Sequence, residues 1–134
     1  MKENIDIVRT FIEKHPNSKM YSGQGFMLRD EQPTAATLDS VCMDTPIIIT
    51  SVDGHSLWLN TAAMKKFDLD KNVAKEYGYD LVHVDEEGNP TGYISETPVF
   101  DIRKKIKMEK EEGMKCLLTA QNFFFSKGYT AVYD

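Results

Sequence analysis

The sequence predicts an α/β fold: a small mixed sheet with parallel strands, a β-hairpin and covering helices. Three observations predict it. Ile47-Ile48-Ile49-Thr50-Ser51-Val52 reads as a buried strand that runs directly into polar and aromatic residues. Segments of helical period alternate with strand-like runs along the chain, the pattern of a sheet covered by helices. Residues 80–84 and 91–95 flank Asp85-Glu86-Glu87-Gly88-Asn89-Pro90 and read as a hairpin with an acidic turn.

The elements follow in order. Asn4 can cap a first helix whose apolar positions Ile5, Val8, Phe11 and Ile12 share one face, and His15-Pro16-Asn17-Ser18 stops it. Residues 19–26 read as a short strand, with Gly23 and Gly25 marking a bulge or a close backbone approach. Residues 27–32 form a polar loop. Pro33-Thr34 then starts a short helix with Ala35, Leu38 and Val41 inward and Thr34 as its cap. Asp44-Thr45-Pro46 turns into the 47–52 strand. After a loop around His55, Asn60 caps a helix reaching Phe67. Residues 68–78 are polar and carry no clear period. Thr97-Pro98 opens a helix toward Ile106. The clearest helix places Met114, Leu117, Leu118, Gln121, Phe124 and Phe125 on one face and stops at Gly128. Residues 129–133 read as a final strand ending at Asp134.

With 134 residues the chain suits one domain. Its 41% hydrophobic and 28% charged content is that of a folded globular chain. The net charge of -5 argues against nucleic acid, whose phosphates need surplus Lys and Arg. The basic run Arg103-Lys104-Lys105 reads as a solvated helix face. No apolar run is long enough to span a membrane, and the start of the chain has no signal-peptide pattern. The two cysteines, Cys42 and Cys116, suit small core positions with free thiols in a cytoplasmic protein. An apolar strand ending at Asp134 with nothing to cover it suggests a piece cut from something larger. Bare apolar surface, and with it self-association to a possible homodimer, is expected.

The stretch Val52-Asp53-Gly54-His55-Ser56-Leu57-Trp58-Leu59-Asn60-Thr61 collects the most chemistry. It follows the carboxyl end of a strand, where open α/β sheets bind ligands. His15, His55 and His83 form no His-x-His, HExxH or similar metal motif. Ser40 and Ser51 lack a nucleophile elbow, and Gly23-x-Gly25 is too short for a phosphate loop.

Several segments resemble the amidohydrolase family 3 group of large metal-dependent hydrolases. Gly23-Gln24-Gly25-Phe26 is similar to a Gly-x-Gly-Trp segment, with Phe in place of Trp. Pro33-Thr34-Ala35-Ala36-Thr37-Leu38-Asp39 matches Pro-Thr-x-x-x-Leu-Asp. Asp53-Gly54-His55, Trp58 and Asn60 match Asp-Gly-His-x-x-Trp-x-Asn. Gly88, Pro90, Thr91, Gly92 and Glu96 match a hairpin pattern, and Gly128 to Asp134 matches Gly-Val-Thr-Ser-Val-His-Asp, with Tyr133 in place of His. The motifs keep the family's order over most of the chain.

The resemblance implies a parent enzyme with a (β/α)8 barrel and a divalent metal, zinc above all, that hydrolyses carbon–nitrogen bonds of small amide-like substrates. This chain would be the segment between its first and second barrel strands, with residues 129–134 as the second. The family's metal ligands lie on elements outside this segment, so the chain alone is expected to bind no metal and to be inactive. His55 and Trp58 would wall the parent's pocket. Asp53, Glu96 and Asp134 would be further pocket carboxylates, the last two at a helix start and a strand end; the plainer reading of Asp53 and His55 is hydrogen bonding to the loop backbone. The alternative is a non-catalytic binding or interaction module.

Overall fold

A computed structural model describes residues 2–28 and 32–133. Its helices are α1 (Lys2–Lys14), α2 (Ala35–Asp39), α3 (Thr61–Lys66), α4 (Lys71–Tyr77), α5 (Thr97–Lys105) and α6 (Lys110–Ser126). Its strands are β1 (Tyr21–Phe26), β2 (Ile47–Ser51), β3 (Ser56–Leu59), β4 (Val82–Val84) and β5 (Pro90–Ser95). The strands form one mixed sheet in the order β1-β2-β3-β5-β4. Only β1 and β2 run parallel, joined by a crossover through α2; the remaining neighbours are antiparallel.

The sheet is buried on both faces, and this explains its apolar runs. Along β2, β3 and β5, residues 48, 57, 59 and 94 point to one face and residues 47, 49, 58 and 93 to the other, the period of two that a pleated strand imposes. One core joins Ile48, Leu57, Leu59 and Ile94 to Ala63, Phe67, Ala74, Val99 and Ile102 of α3, α4, α5 and their flanks. The other joins Ile47, Ile49, Trp58 and Tyr93 to Ile5 of α1 and Leu38 of α2. A strand covered on both sides loses the polar alternation that marks a half-exposed one.

Three features interlock these layers. Asn60 is fully buried. Its Oδ1 accepts from the Ala63 N–H at 2.8 Å, capping α3, and from the Ile47 N–H at 2.9 Å. Its Nδ2 donates to the carbonyls of Cys42 and Thr45, each at 2.9 Å. Asp39 of α2 accepts from the Thr61 N–H and hydroxyl at 3.0 and 2.6 Å. Gly92 has φ +98, and a Cβ there would sit 2.4 Å from the Leu59 carbonyl oxygen and 2.8 Å from the Ala35 nitrogen. Only glycine lets α2 approach the sheet so closely.

Several expectations need correction. Residues 52–55 are not a strand-to-helix loop. They are the turn of a hairpin whose second strand, β3, had been read as part of the loop. Asp53-Gly54 is a hairpin-turn pair, but β3 is short and apolar on both faces and so shows no alternation. Val52 lies beyond β2 and is exposed. Residues 68–78 contain α4, capped by Asp70, whose Oδ1 accepts from the Asn72 and Val73 N–H groups at 2.8 and 2.9 Å. The strand expected at residue 19 begins at Tyr21, and the bulge expected near Gly25 is there, between Gln24 and Phe26. Thr34 precedes α2 as its N-cap residue without a side-chain capping bond; its hydroxyl meets that of Thr37 at 2.9 Å.

The last third departs most. Helix α6 forms and ends near Gly128 (φ +83), yet none of its residues is buried. Residues 129–133 form no strand. A strand needs a neighbour for its N–H and C=O groups, and none of the described strands pairs with this stretch. Cys42 is half-buried against the α1-side core, but Cys116 is exposed on α6. Part of the loop expected at residues 27–32, and Asp134, lie outside the described residues.

Candidate functional site

The residues flagged by sequence meet where the β2–β3 turn faces the start of α5. Ser51 closes β2 and directs its hydroxyl into the turn. That hydroxyl donates to Asp53 Oδ1 at 2.5 Å and accepts from the Ser56 N–H at 2.9 Å. Asp53 Oδ1 also accepts from the His55 N–H at 3.0 Å. The Ser51 hydroxyl, and after it the His55 N–H, hold the Asp53 carboxyl below the ordinary 3.8. These bonds favour the ionised form and hold the turn together. Ser51 thereby ties the two ends of the turn together.

The turn presents His55 to Glu96. The Glu96 N–H donates to the His55 carbonyl at 2.8 Å, tying the turn to the residue before α5. His55 Nδ1 lies 3.2 Å from Glu96 Oε2, and both side chains are a little over half exposed, at 54% and 55%. At that exposure the pair adds little stability, about 0–1 kcal/mol. Its chemical consequence is larger. In the neutral tautomer that carries its proton on Nδ1, the ring donates to Glu96 and Nε2 is an acceptor. Glu96 adopts φ 58 and ψ -123, a region that side chains rarely occupy. Such a conformation costs on the order of 1–3 kcal/mol and persists only where the surroundings enforce it. Phe100, one helical turn along α5, sets its ring edge-on to His55 with centroids 6.4 Å apart.

The other candidates lie elsewhere. Trp58 is 1% exposed, and its indole N–H donates to the Thr34 carbonyl at 2.8 Å. It sits in the α1-side core, on the opposite sheet face from its neighbours Leu57 and Leu59. His15 stacks on Phe11 at 4.2 Å, and His83 packs edge-on to Tyr93 at 4.8 Å, so the three histidines do not converge. Asp134 lies outside the described residues. Phe100 was not singled out by sequence; its contact with His55 spans distant parts of the chain.

The fit of this site to a metal is poor. A catalytic zinc takes three protein ligands and an open position. His55 and Glu96 offer two donors, and Asp53 is engaged by the turn. No group of three or more His, Cys, Asp or Glu suited to a metal occurs among the described residues. The pair can accept and donate protons and orient a polar group, but it does not make a metal centre.

Comparisons with known proteins agree with this frame. A sequence profile described as "Amidohydrolase family" matches residues 21–134. The exoenzymes regulatory protein AepA of Pectobacterium carotovorum subsp. carotovorum is 27% identical over 142 residues, a match covering 100% of this chain and 30% of that protein. A crystal structure of an uncharacterized metal-dependent hydrolase from Pyrococcus furiosus superposes with a TM-score of 0.64 at 20% identity, over 96% of this chain and 25% of that one. A second, from Pyrococcus horikoshii OT3, gives 0.53 at 22% identity, over 75% and 18%. The chain therefore spans less than a third of each relative it matches, and it shares its fold with a portion of the two hydrolases. With the profile match running from β1 to the last residue, this chain belongs to the amidohydrolase family.

Proposed function

We propose that this chain is a section of a metal-dependent amidohydrolase acting on carbon–nitrogen bonds other than peptide bonds, in which it shapes the substrate pocket and does not catalyse alone. One observation carries the reading. The family match includes α6, yet α6 leaves Leu117, Leu118, Phe123 and Phe125 between 52% and 66% exposed. A helix with so much bare apolar surface is built to pack on something. In the reading proposed here, that partner is the barrel of the larger enzyme, residues 129–134 extend as its second strand, and Asp134 sits at the barrel mouth, where catalytic groups gather. His55, with Glu96 and Asp53 behind it, lines the pocket for a small amide-like substrate. A divalent metal, zinc above all, belongs in this reading to ligands outside the segment and would supply Lewis acidity and an activated water. The two thiols suit a reducing cytoplasm, and no helix of the described residues is long and apolar enough to cross a membrane. A non-catalytic interaction module is the second reading, favoured by the description of AepA as a regulatory protein.

The test is to incubate the purified chain with zinc, measure bound metal by mass spectrometry and assay a panel of amides. No tight stoichiometric metal and no turnover are expected. Hydrolysis by the chain with its own bound cation would overturn the scaffold reading.

A further inference from the structure

Helix α5 carries another charged group on the face that bears Phe100. Phe100 and Arg103 are spaced three residues apart on one side of α5, and Glu96 caps the start of that helix from outside it. The β2–β3 turn lies against that side. His55 meets Glu96 and Phe100 at one end. At the other end Arg103 Nη2 would lie 3.9 Å from a Cβ built on Gly54. The absent side chain leaves that flank of the guanidinium open.

The neighbouring cations are engaged differently. Lys104 Nζ bonds Asp101 at 2.9 Å, and Lys105 Nζ donates to the Phe67 carbonyl at 3.2 Å. Arg103 is half-buried, and among the described residues its side chain has no hydrogen bond and no ion pair. The neighbouring acids make other contacts: Asp53 Oδ1 accepts from Ser51 and the His55 N–H, Glu96 Oε2 meets His55, and neither is paired with Arg103 among the described residues. A guanidinium presents a planar fork of donors matched to a carboxylate. Phe100, 45% exposed, offers an apolar surface between the two polar ends. The carboxylates of Asp53 and Glu96 nearby oppose a doubly charged phosphate more than a singly charged carboxylate.

Building on the assignment of His55 and Glu96 to a pocket, we infer that Arg103 is a specificity-determining residue: it binds the carboxylate of a small ligand whose planar apolar body lies on Phe100 beside the His55–Glu96 pair. The basic run in which it sits is therefore not uniformly a solvated face.

The experiment is an amide chemical-shift titration of the intact chain at constant ionic strength, with benzoate as the probe and benzamide as its neutral counterpart. Benzoate is expected to give saturable shifts at Gly54, His55, Phe100 and Arg103, with benzamide at least about tenfold weaker, the loss of one charge-assisted contact. R103Q should weaken benzoate by about tenfold, and K104Q should leave it within about twofold. R103K keeps the charge but not the fork and should fall between; it decides the matter should R103Q fail to fold. Non-saturable shifts, equal binding of benzamide, or benzoate binding undiminished in R103Q and R103K would overturn the inference. The scaffold reading would survive that result, because metal content and amide turnover decide it separately.

Discussion

Asn60→Ala is expected to bring this fold to the edge of unfolding. The side chain is fully buried and makes four hydrogen bonds to backbone groups from three separate segments. In the variant the Ile47 and Ala63 N–H groups lose their acceptor in buried surroundings, at roughly 1–3 kcal/mol each. The Cys42 and Thr45 carbonyls lie in half-buried positions and cost less, about 1 kcal/mol each. The total is about 4–8 kcal/mol, before any void, against a whole-domain stability on the order of 5–15 kcal/mol. Urea unfolding reads the effect through Trp58, the sole tryptophan and a buried one. Asn60→Asp separates hydrogen bonding from volume. It keeps the oxygen that caps α3 but sets a second oxygen against two carbonyls, so a loss of several kcal/mol is expected at nearly constant size. A loss under about 1 kcal/mol in both variants would refute the argument that this side chain locks β2, β3 and α3 together.

Gly92→Ala should destabilise by about 3 kcal/mol or more, because its Cβ collides with backbone of β3 and α2. Gly88→Ala, at φ +82 with its nearest neighbour the Tyr79 hydroxyl at 3.8 Å, should cost only about 1 kcal/mol; equal urea midpoints would contradict this ranking. Asp53, Asp85 and Asp101 all have carboxyls held below the ordinary 3.8, by Ser51, by the Asn89 side chain and by Lys104 respectively as the largest causes. Depressed native values mean that these acids stabilise the fold above about pH 4 and lose that contribution as the pH falls through them. The urea midpoint should therefore drop below pH 4, and D53N, D85N and D101N together should flatten the slope; an unchanged slope would count against the assigned partners. The bare α6 face should drive concentration-dependent association in sedimentation, and L117K/F125K should reduce it. A strict monomer at high concentration would remove the argument that this face is meant to be covered.

The motifs behind the family resemblance turn out to divide by physical role. Thr34, Leu38, Asp39, Trp58, Asn60 and Gly92 tie α2, β3, α3 and β5 to one another and are mostly buried. Asp53, His55 and Glu96 stay at the surface of the turn. A sequence shows that such residues recur together but not which of them face solvent. Trp58 illustrates the difference: its position beside His55 in the chain suggested a shared pocket. Successive strand residues point to opposite faces, and this sends the indole into the core.

The sequence by itself determined what depends on neighbours a few residues away. The α1 face, the Asn60 cap, the acidic hairpin between β4 and β5, the Gly25 bulge and the Gly128 helix stop are all local in origin, and all are where the residues place them. Only the tertiary structure decided what depends on distant partners. It made Ser56–Leu59 a strand, because β2 and β5 supply its hydrogen bonds. It left residues 129–133 outside the sheet and no described residue of α6 buried. It also brought Glu96 and Arg103 to a turn about forty to fifty residues away in sequence. Backbone pairing and side-chain convergence are long-range, and periodicity within a single segment carries no record of them.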